Sequence, residues 1–272
     1  MALELTYSQF QTVYNVTSFA LAAMLATFIF LLVVQGRVLP RYRQALVVSA
    51  MVCLIAAYHY YRIFDSFRHS YIAMDEGTAA TAFNAMSYAL VNGEGFNEGY
   101  RYVDWLLTVP LLLVETVAVL ALARSAQSSM LKRLVPAAGA MILLGYPGDA
   151  RLDLFGLSGM MWGVLSCIPF VYILYVLFVE LSKSLERQSE AVRKKVSLLR
   201  VLLVASWLVY PVTFFIAQGA TGFDPMSFVN REVGYTIADV TAKCVFGLII
   251  FTIARIKSAE DSDEFAKAEF RD

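Results

Sequence analysis

The chain has 272 residues, of which 59% are hydrophobic and 16% charged, with 22 basic residues balanced by 22 acidic ones. An ordinary soluble surface carries about 25% charge, so this composition, with a mean hydropathy of +0.62, excludes a water-soluble globule and places the chain in a lipid bilayer. The cancelled net charge gives no sign of a nucleic-acid partner.

A helix that crosses a bilayer needs about 20 mainly apolar residues. Such runs lie near 8–35, 44–64, 100–123, 160–182, 198–219 and 234–256, and a shorter apolar run, LVPAAGAMILLGY, fills 134–146. Near-continuous hydrophobicity favours helices over a barrel of alternating strands. The expectation is an all-α membrane protein, a single domain over 1–272, folded as a seven-transmembrane-helix bundle. Its helices are placed at about 8–35, 44–69, 97–123, 131–147, 157–186, 192–219 and 228–258.

In chain order, the opening MALELTYSQF has no basic region and no small-residue cleavage site, so the first helix is expected to direct its own insertion. The second carries Cys53 and, in AAYHYYRIF, His59; His69 sits at its outer end with no role. Residues 70–96 form an external loop whose Gly77 and Asn92-Gly93 signals admit a small β-hairpin, although the Ala-rich middle reads poorly as strand. The third helix contains RYVDWLLTVPLLLVE (101–115), and the fifth opens on LSGMMWGVLSC (157–167). Residues 182–200 read as a cytoplasmic connection between helices. The sixth helix holds Trp207, Tyr210 and Pro211, the seventh Asp239, Lys243 and Cys244, and DSDEFAKAEFRD (261–272) reads as a solvated tail. Cys53, Cys167 and Cys244 have no paired spacing, so they read as packing residues, with neither a disulfide nor a metal site expected.

With an odd number of spans, alternate connections share a side. One side collects Arg37, Arg41, Arg43, Lys132, Arg133, Arg193, Lys194, Lys195 and others, and the opposite side holds Asp75, Glu76, Glu94, Asp149 and Asp224. By the positive-inside rule the N-terminus is extracellular and the C-terminus cytoplasmic.

Ionisable groups inside a span cost several kcal/mol unless they face the protein interior or a watery cavity, and their default meaning is functional. Arg101, Asp104 and Thr108 follow one another at helical spacing. Asp104 and Glu115 are eleven residues apart, which brings them within roughly 20° of one face and about 16 Å apart along the axis. One acid therefore lies toward each side of the membrane. The plainer alternative is a structural ion pair between Arg101 and Asp104, which leaves Glu115 unexplained. On the last helix Asp239 and Lys243 again share a face. A dry lysine is neutral or paired, and a desolvated lysine is the side chain that forms Schiff bases with carbonyl compounds. If it does so, the resulting cation has two candidate counterions, Asp104 and Asp239.

The combination RYxDWLxTxPLL, Trp207-Tyr210-Pro211 and DxxxK, in this order over the whole chain, resembles the microbial rhodopsins, in particular light-driven proton pumps of the proteorhodopsin and xanthorhodopsin type. The resemblance implies all-trans retinal held on Lys243 as a protonated Schiff base, in a pocket walled by Trp105, Trp207 and Tyr210 with Pro211. Asp104, Thr108 and Glu115 occupy the three positions that report function in the family: Asp104 as proton acceptor and counterion, Glu115 as proton donor, with Asp239 as second counterion. A chloride pump needs the first position uncharged, and the sodium pumps carry Asn, Asp and Gln there, so neither fits. Glu115, among Leu111, Leu112, Val114 and Val117, is expected to rest protonated, and Leu112 matches the colour-tuning position in its green form. The resemblance places His59 beside Asp104, keeping that carboxylate ionised. Glu232 lies near the external mouth, but Arg231 stands closest to where a second release carboxyl belongs, so the release group stays open.

Gly163 matches a position where most relatives carry a tryptophan over the retinal ring, and its absence implies a lateral window for a carotenoid antenna, with Phe214 beside it. The alternative for Gly159 and Gly163 is close helix packing. The resemblance also implies a plasma-membrane homo-oligomer, trimer or pentamer, carrying protons, and a transporter rather than an enzyme. Two other readings are a sensory photoreceptor that signals through a partner, and a transporter with no chromophore in which Lys243 is only an ion-pair member.

Overall fold

A computed structural model describes residues 4–74, 86–91, 95–97, 99–219 and 224–270. Helix α1 (Tyr7–Val33) begins at a capping box: the Thr6 hydroxyl accepts from the Gln9 amide while the Gln9 side chain accepts from the Thr6 amide. A 3₁₀ turn, Val34–Arg37, leads to α2 (Pro40–Ser70), whose proline occupies a first-turn position where its missing N–H costs nothing.

Among the described residues, three short strands close one end of the bundle. The order is β1 (Glu4–Thr6), β3 (Ser87–Leu90), β2 (Tyr71–Met74), all antiparallel. The paired β2 and β3 lie in the segment where a hairpin was admitted, while Gly77 and Asn92-Gly93 fall outside the described residues. The N-terminal strand is an addition that three residues without a readable alternation do not announce. Beneath the sheet, Phe10 stacks on Tyr88 at 4.0 Å between ring centres, and Phe67, Tyr71, Phe96 and Phe228 complete an aromatic plug.

The remaining helices are α3 (Gly99–Ala118), α4 (Arg124–Asp149), α5 (Gly159–Tyr175), α6 (Leu181–Leu185), α7 (Glu190–Gly219), α8 (Pro225–Val240), α9 (Phe246–Asp261) and α10 (Asp263–Phe270). Single π-turns, Val176–Glu180 and Thr241–Val245, join α5 to α6 and α8 to α9, so each pair forms one continuous rod. Helix α3 stops at Ala118 instead of 123, where Ala121 takes a positive φ of 47°. Helix α4 starts at Arg124, not 131, because RSAQSSMLKR is helical without being apolar. The 182–200 connection shrinks likewise, since α6 and α7 leave residues 186–189 between them. The tail forms a surface helix, α10, with no buried residue, whose Glu269 carboxylate pairs with Arg37 and Arg255, both at 3.1 Å.

Among the described residues, five rods are long and apolar enough to cross a membrane: Tyr7–Arg37, Pro40–Ser70, Gly159–Leu185, Glu190–Ile216 and Pro225–Asp261. Helix α3 carries Arg101, Asp104 and Glu115 within its 20 residues, which dilutes its apolar character. Each helix packs on its predecessor from α1 to α5, α5 meets α7, and the α8–α9 rod returns to α1 and α2, closing a ring. Large apolar side chains such as Phe19, Ile168 and Ile216 point outward, 60–64% exposed, while Asp104, Glu115, Asp239 and Lys243 are buried inside. That inversion of a soluble protein's pattern is what a bilayer selects.

Candidate functional site

The π-turn Thr241–Val245 sets Lys243 at the centre of the ring. Its Nζ lies 2.6 Å from Asp104 Oδ2 on α3 and 2.8 Å from Asp239 Oδ1, one turn back on α8. The two carboxylates are treated unequally. Asp239 accepts from Tyr60 at 2.8 Å, Trp105 Nε1 at 3.1 Å and Tyr210 at 2.6 Å, so both its oxygens are occupied. Asp104 has only the lysine, on Oδ2; its Oδ1 has no hydrogen-bond partner. Two of the aromatic walls that the sequence marks as packing surface, Trp105 and Tyr210, are thus also donors to a counterion.

Thr108 spends its hydroxyl on the backbone carbonyl of Asp104 at 2.8 Å and leaves the carboxylate alone. His59 Nδ1 donates to the Ile55 carbonyl at 2.9 Å and stands 3.8 Å from Asp104 Oδ1, beside the carboxylate but beyond hydrogen-bond reach.

Arg101 does not pair with Asp104. Its guanidinium extends outward to Glu232 at 2.6 Å and to the Tyr60 hydroxyl at 3.1 Å, and reaches Asp239 only at 4.0 Å. The i,i+3 spacing puts Arg101 and Asp104 on one face, but the long side chain follows the stronger partner and the rings of Tyr60 and Tyr235, whose centres lie 5.5 and 5.6 Å away. The structural ion pair is therefore discarded. Arg231 Nε stands 3.5 Å from the other Glu232 oxygen, and Asp149, at the end of α4, is within electrostatic reach of Arg231, Glu232 and Arg101. Among the described residues, this end of the bundle thus gathers Asp149 and Glu232 with Arg101 and Arg231.

On the opposite side of Lys243, Glu115 is fully buried and neither of its oxygens has a hydrogen-bond partner. Ser49 on α2 is the polar side chain that interacts with it.

A cleft holding about 810 Å³, its open side included, ends on Lys243 and Asp239. Trp105, Leu112, Trp207, Tyr210 and Pro211 line it, all marked by the sequence, together with Met141 and Phe170, which were not. Gly163 and Phe214 line its far end. A Cβ on Gly163 would collide with the Phe214 ring and meet Phe215 at 3.0 Å, so glycine here is what lets α7 bring its phenylalanines onto α5.

Tyr60 and Ser49 escaped the sequence reading, and Asp149 entered it only as one of the acids on the outer side. Tyr60 adjoins His59 and lies four residues past Ala56 on the stripe that faces Lys243, which is the signal that was available; a tyrosine in an apolar helix does not otherwise declare its partner.

The bacteriorhodopsin-like family model matches residues 9–257. The chain is 31% identical over 237 residues to the green-light absorbing proteorhodopsin of Gamma-proteobacterium EBAC31A08, covering 86% of this chain and 82% of that one. Among solved structures it is similar to xanthorhodopsin, described as a light-driven ion pump with dual chromophore, at 41% identity, TM-score 0.86 and coverage of 96% and 99%. It is also similar to a thermophilic rhodopsin, at 37% identity, TM-score 0.86 and coverage of 96% and 100%.

Proposed function

The chain belongs to the bacteriorhodopsin-like family of microbial rhodopsins, integral membrane proteins, and from that premise we propose that it is a light-driven pump that moves protons outward across the cell membrane. The observation that carries this reading is the buried amine of Lys243 held between two carboxylates of unequal hydrogen-bonding capacity, at the closed end of an aromatic cleft.

Retinal fits these residues. Trp105, Trp207 and Tyr210 offer flat faces and Leu112 an apolar contact to a polyene, and the cleft is lined by Lys243, whose amine can form a Schiff base with an aldehyde. Bound there, all-trans retinal supplies visible absorption and a positive charge whose position changes with light.

Asp239, saturated by three neutral donors, is held as a fixed anion. Asp104, with an oxygen unoccupied, is the carboxylate able to take a proton, and His59 at 3.8 Å is placed to respond to its charge. Glu115 lies in a dry interior with no donor to either oxygen, an environment that keeps a carboxyl neutral and ready to give up its proton. Arg101, tethered to Glu232, separates Asp104 from the external mouth. Acceptor on one side, donor on the other: with alternating access this moves protons one way.

Illumination of cells in unbuffered medium is the test. Acidification that a protonophore abolishes supports the pump; a coloured protein that leaves the medium unchanged is a sensor, and the proposal falls. In the same cells Glu115→Gln is expected to slow recovery of the initial absorption by about 10²-fold, the usual worth of a positioned proton donor, as read by flash photolysis.

The reading includes a seven-helix bundle, with α3 and α4 as spans beside the five apolar rods, N-terminus outside and C-terminus inside, assembled as a homo-oligomer. Support comes from the ring of helices and from Arg37, Arg41, Lys194 and Lys195 at the ends that would face the cytoplasm.

A carotenoid antenna is the second part. Gly163 lines the cleft without a side chain, and because the Phe214 and Phe215 rings already pack against it, an antenna ring would have to stack on or displace those phenylalanines. Gly163→Trp should abolish carotenoid-sensitised acidification in an action spectrum while leaving the retinal band active. A wild-type action spectrum that shows no carotenoid contribution removes the antenna.

A further inference from the structure

Between Glu115 and Lys243 the chain places two thiols that the pump scheme leaves unused. Cys53 on α2 is fully buried, and its Sγ lies 3.8 Å from the backbone carbonyl oxygen of Lys243, within the reach of a thiol hydrogen bond. Cys244, also buried, follows Lys243 directly, and the two sulfurs interact. Ser49 precedes Cys53 by one helical turn, so both side chains share a face of α2. That face packs on the Lys243 rod: Gly247, one turn beyond Lys243, would meet the Ser49 hydroxyl at 3.2 Å if it bore a Cβ. Ser49 in turn interacts with Glu115, and Cys53 lies within electrostatic range of the same carboxyl.

A π-turn carries one residue more than the α-helix around it, which disturbs the regular carbonyl pairing, and such turns recur at functional sites. Here the turn spans Thr241–Val245, with Lys243 at its middle. The Phe246 amide that closes the turn reaches both the Lys243 and the Thr241 carbonyls, and the Cys53 thiol is a further donor within reach of the Lys243 carbonyl. The helix that faces Glu115 is thereby tied to the backbone of the residue whose amine must sit between Asp104 and Asp239.

We infer that Cys53 is a positioning residue: its thiol, through the Lys243 carbonyl, holds the π-turn in the register that keeps the amine aligned for proton return from Glu115. The inference rests on the pump reading, in which Glu115 is the donor, and it assigns Cys53 no proton of its own to transfer.

Infrared spectroscopy of the S–H stretch, combined with flash photolysis, tests it. The retinal-free wild-type protein in the dark should show a Cys53 S–H stretch lowered by hydrogen bonding, identified by its loss in Cys53→Ala and its retention in Cys244→Ala. In the pigment, Cys53→Ala should slow proton return by about tenfold, the worth of one net hydrogen bond, while Cys53→Ser restores it through the hydroxyl. A Cys53 stretch at the free-thiol frequency, or an unchanged return rate in Cys53→Ala, overturns the inference. Should the wild-type protein move no protons in light, the pump reading fails separately, and the dark spectrum of the retinal-free protein still decides whether the Cys53–Lys243 bond exists.

Discussion

Lys243→Ala protein mixed with all-trans retinal is expected to stay colourless, whereas the wild type develops a visible band under the same conditions. The expectation follows from what Lys243 is asked to do twice. Its amine is the nucleophilic group lining the cleft, and among the described residues its charge is the only cation within hydrogen-bond distance of Asp104. Removing it leaves the buried Asp104 carboxylate without its partner, a change that typically costs about 3–5 kcal/mol. Loss of colour could then reflect misfolding alone, so a second measurement on the wild type accompanies it. Borohydride reduction of the illuminated pigment should attach the mass of the chromophore to the peptide that contains Lys243. Colour in the alanine variant, or label on any other lysine, removes the basis of the functional reading.

Asp104→Asn is the second large effect. The amide is nearly the same size, and Lys243 keeps Asp239 as an anionic partner at 2.8 Å, so the variant should fold and bind retinal. Outward proton flux should fall by at least about 10²-fold, because a neutral amide cannot take up the proton. The contrast is Asp239→Asn. That residue accepts from Tyr60, Trp105 and Tyr210 at once, so its replacement forces three donors and Arg101 to repack, and the loss should appear as unstable pigment more than as a clean transport defect. Wild-type flux from Asp104→Asn, measured with a pH electrode, would transfer the acceptor role elsewhere.

Much of this architecture is legible in one dimension because its causes are local. Apolar runs long enough to cross a bilayer announce α1, α2, α5, α7 and the α8–α9 rod, and helical periodicity alone puts Arg101, Asp104 and Glu115 on one side of α3 and Asp239 with Lys243 on one side of the last rod. A charge in an apolar helix must turn inward, so the site's ionisable residues follow from burial cost without knowledge of any neighbour. Which neighbour each one meets is a different matter. Arg101 shares a face with Asp104, yet its guanidinium binds Glu232, 131 residues away. Tyr60, Trp105 and Tyr210 come from three helices to occupy one carboxylate, and it is their convergence on Asp239, leaving Asp104 Oδ1 without a hydrogen-bond partner, that makes the two carboxylates unequal and underlies the roles proposed for them. Phe214 over Gly163, Cys53 on the Lys243 carbonyl and the α10 carboxylate between two arginines are of the same kind. Periodicity specifies the direction a side chain leaves its own helix; the partner depends on how helices distant in sequence are rotated and offset against one another, and that is set only when the whole bundle packs.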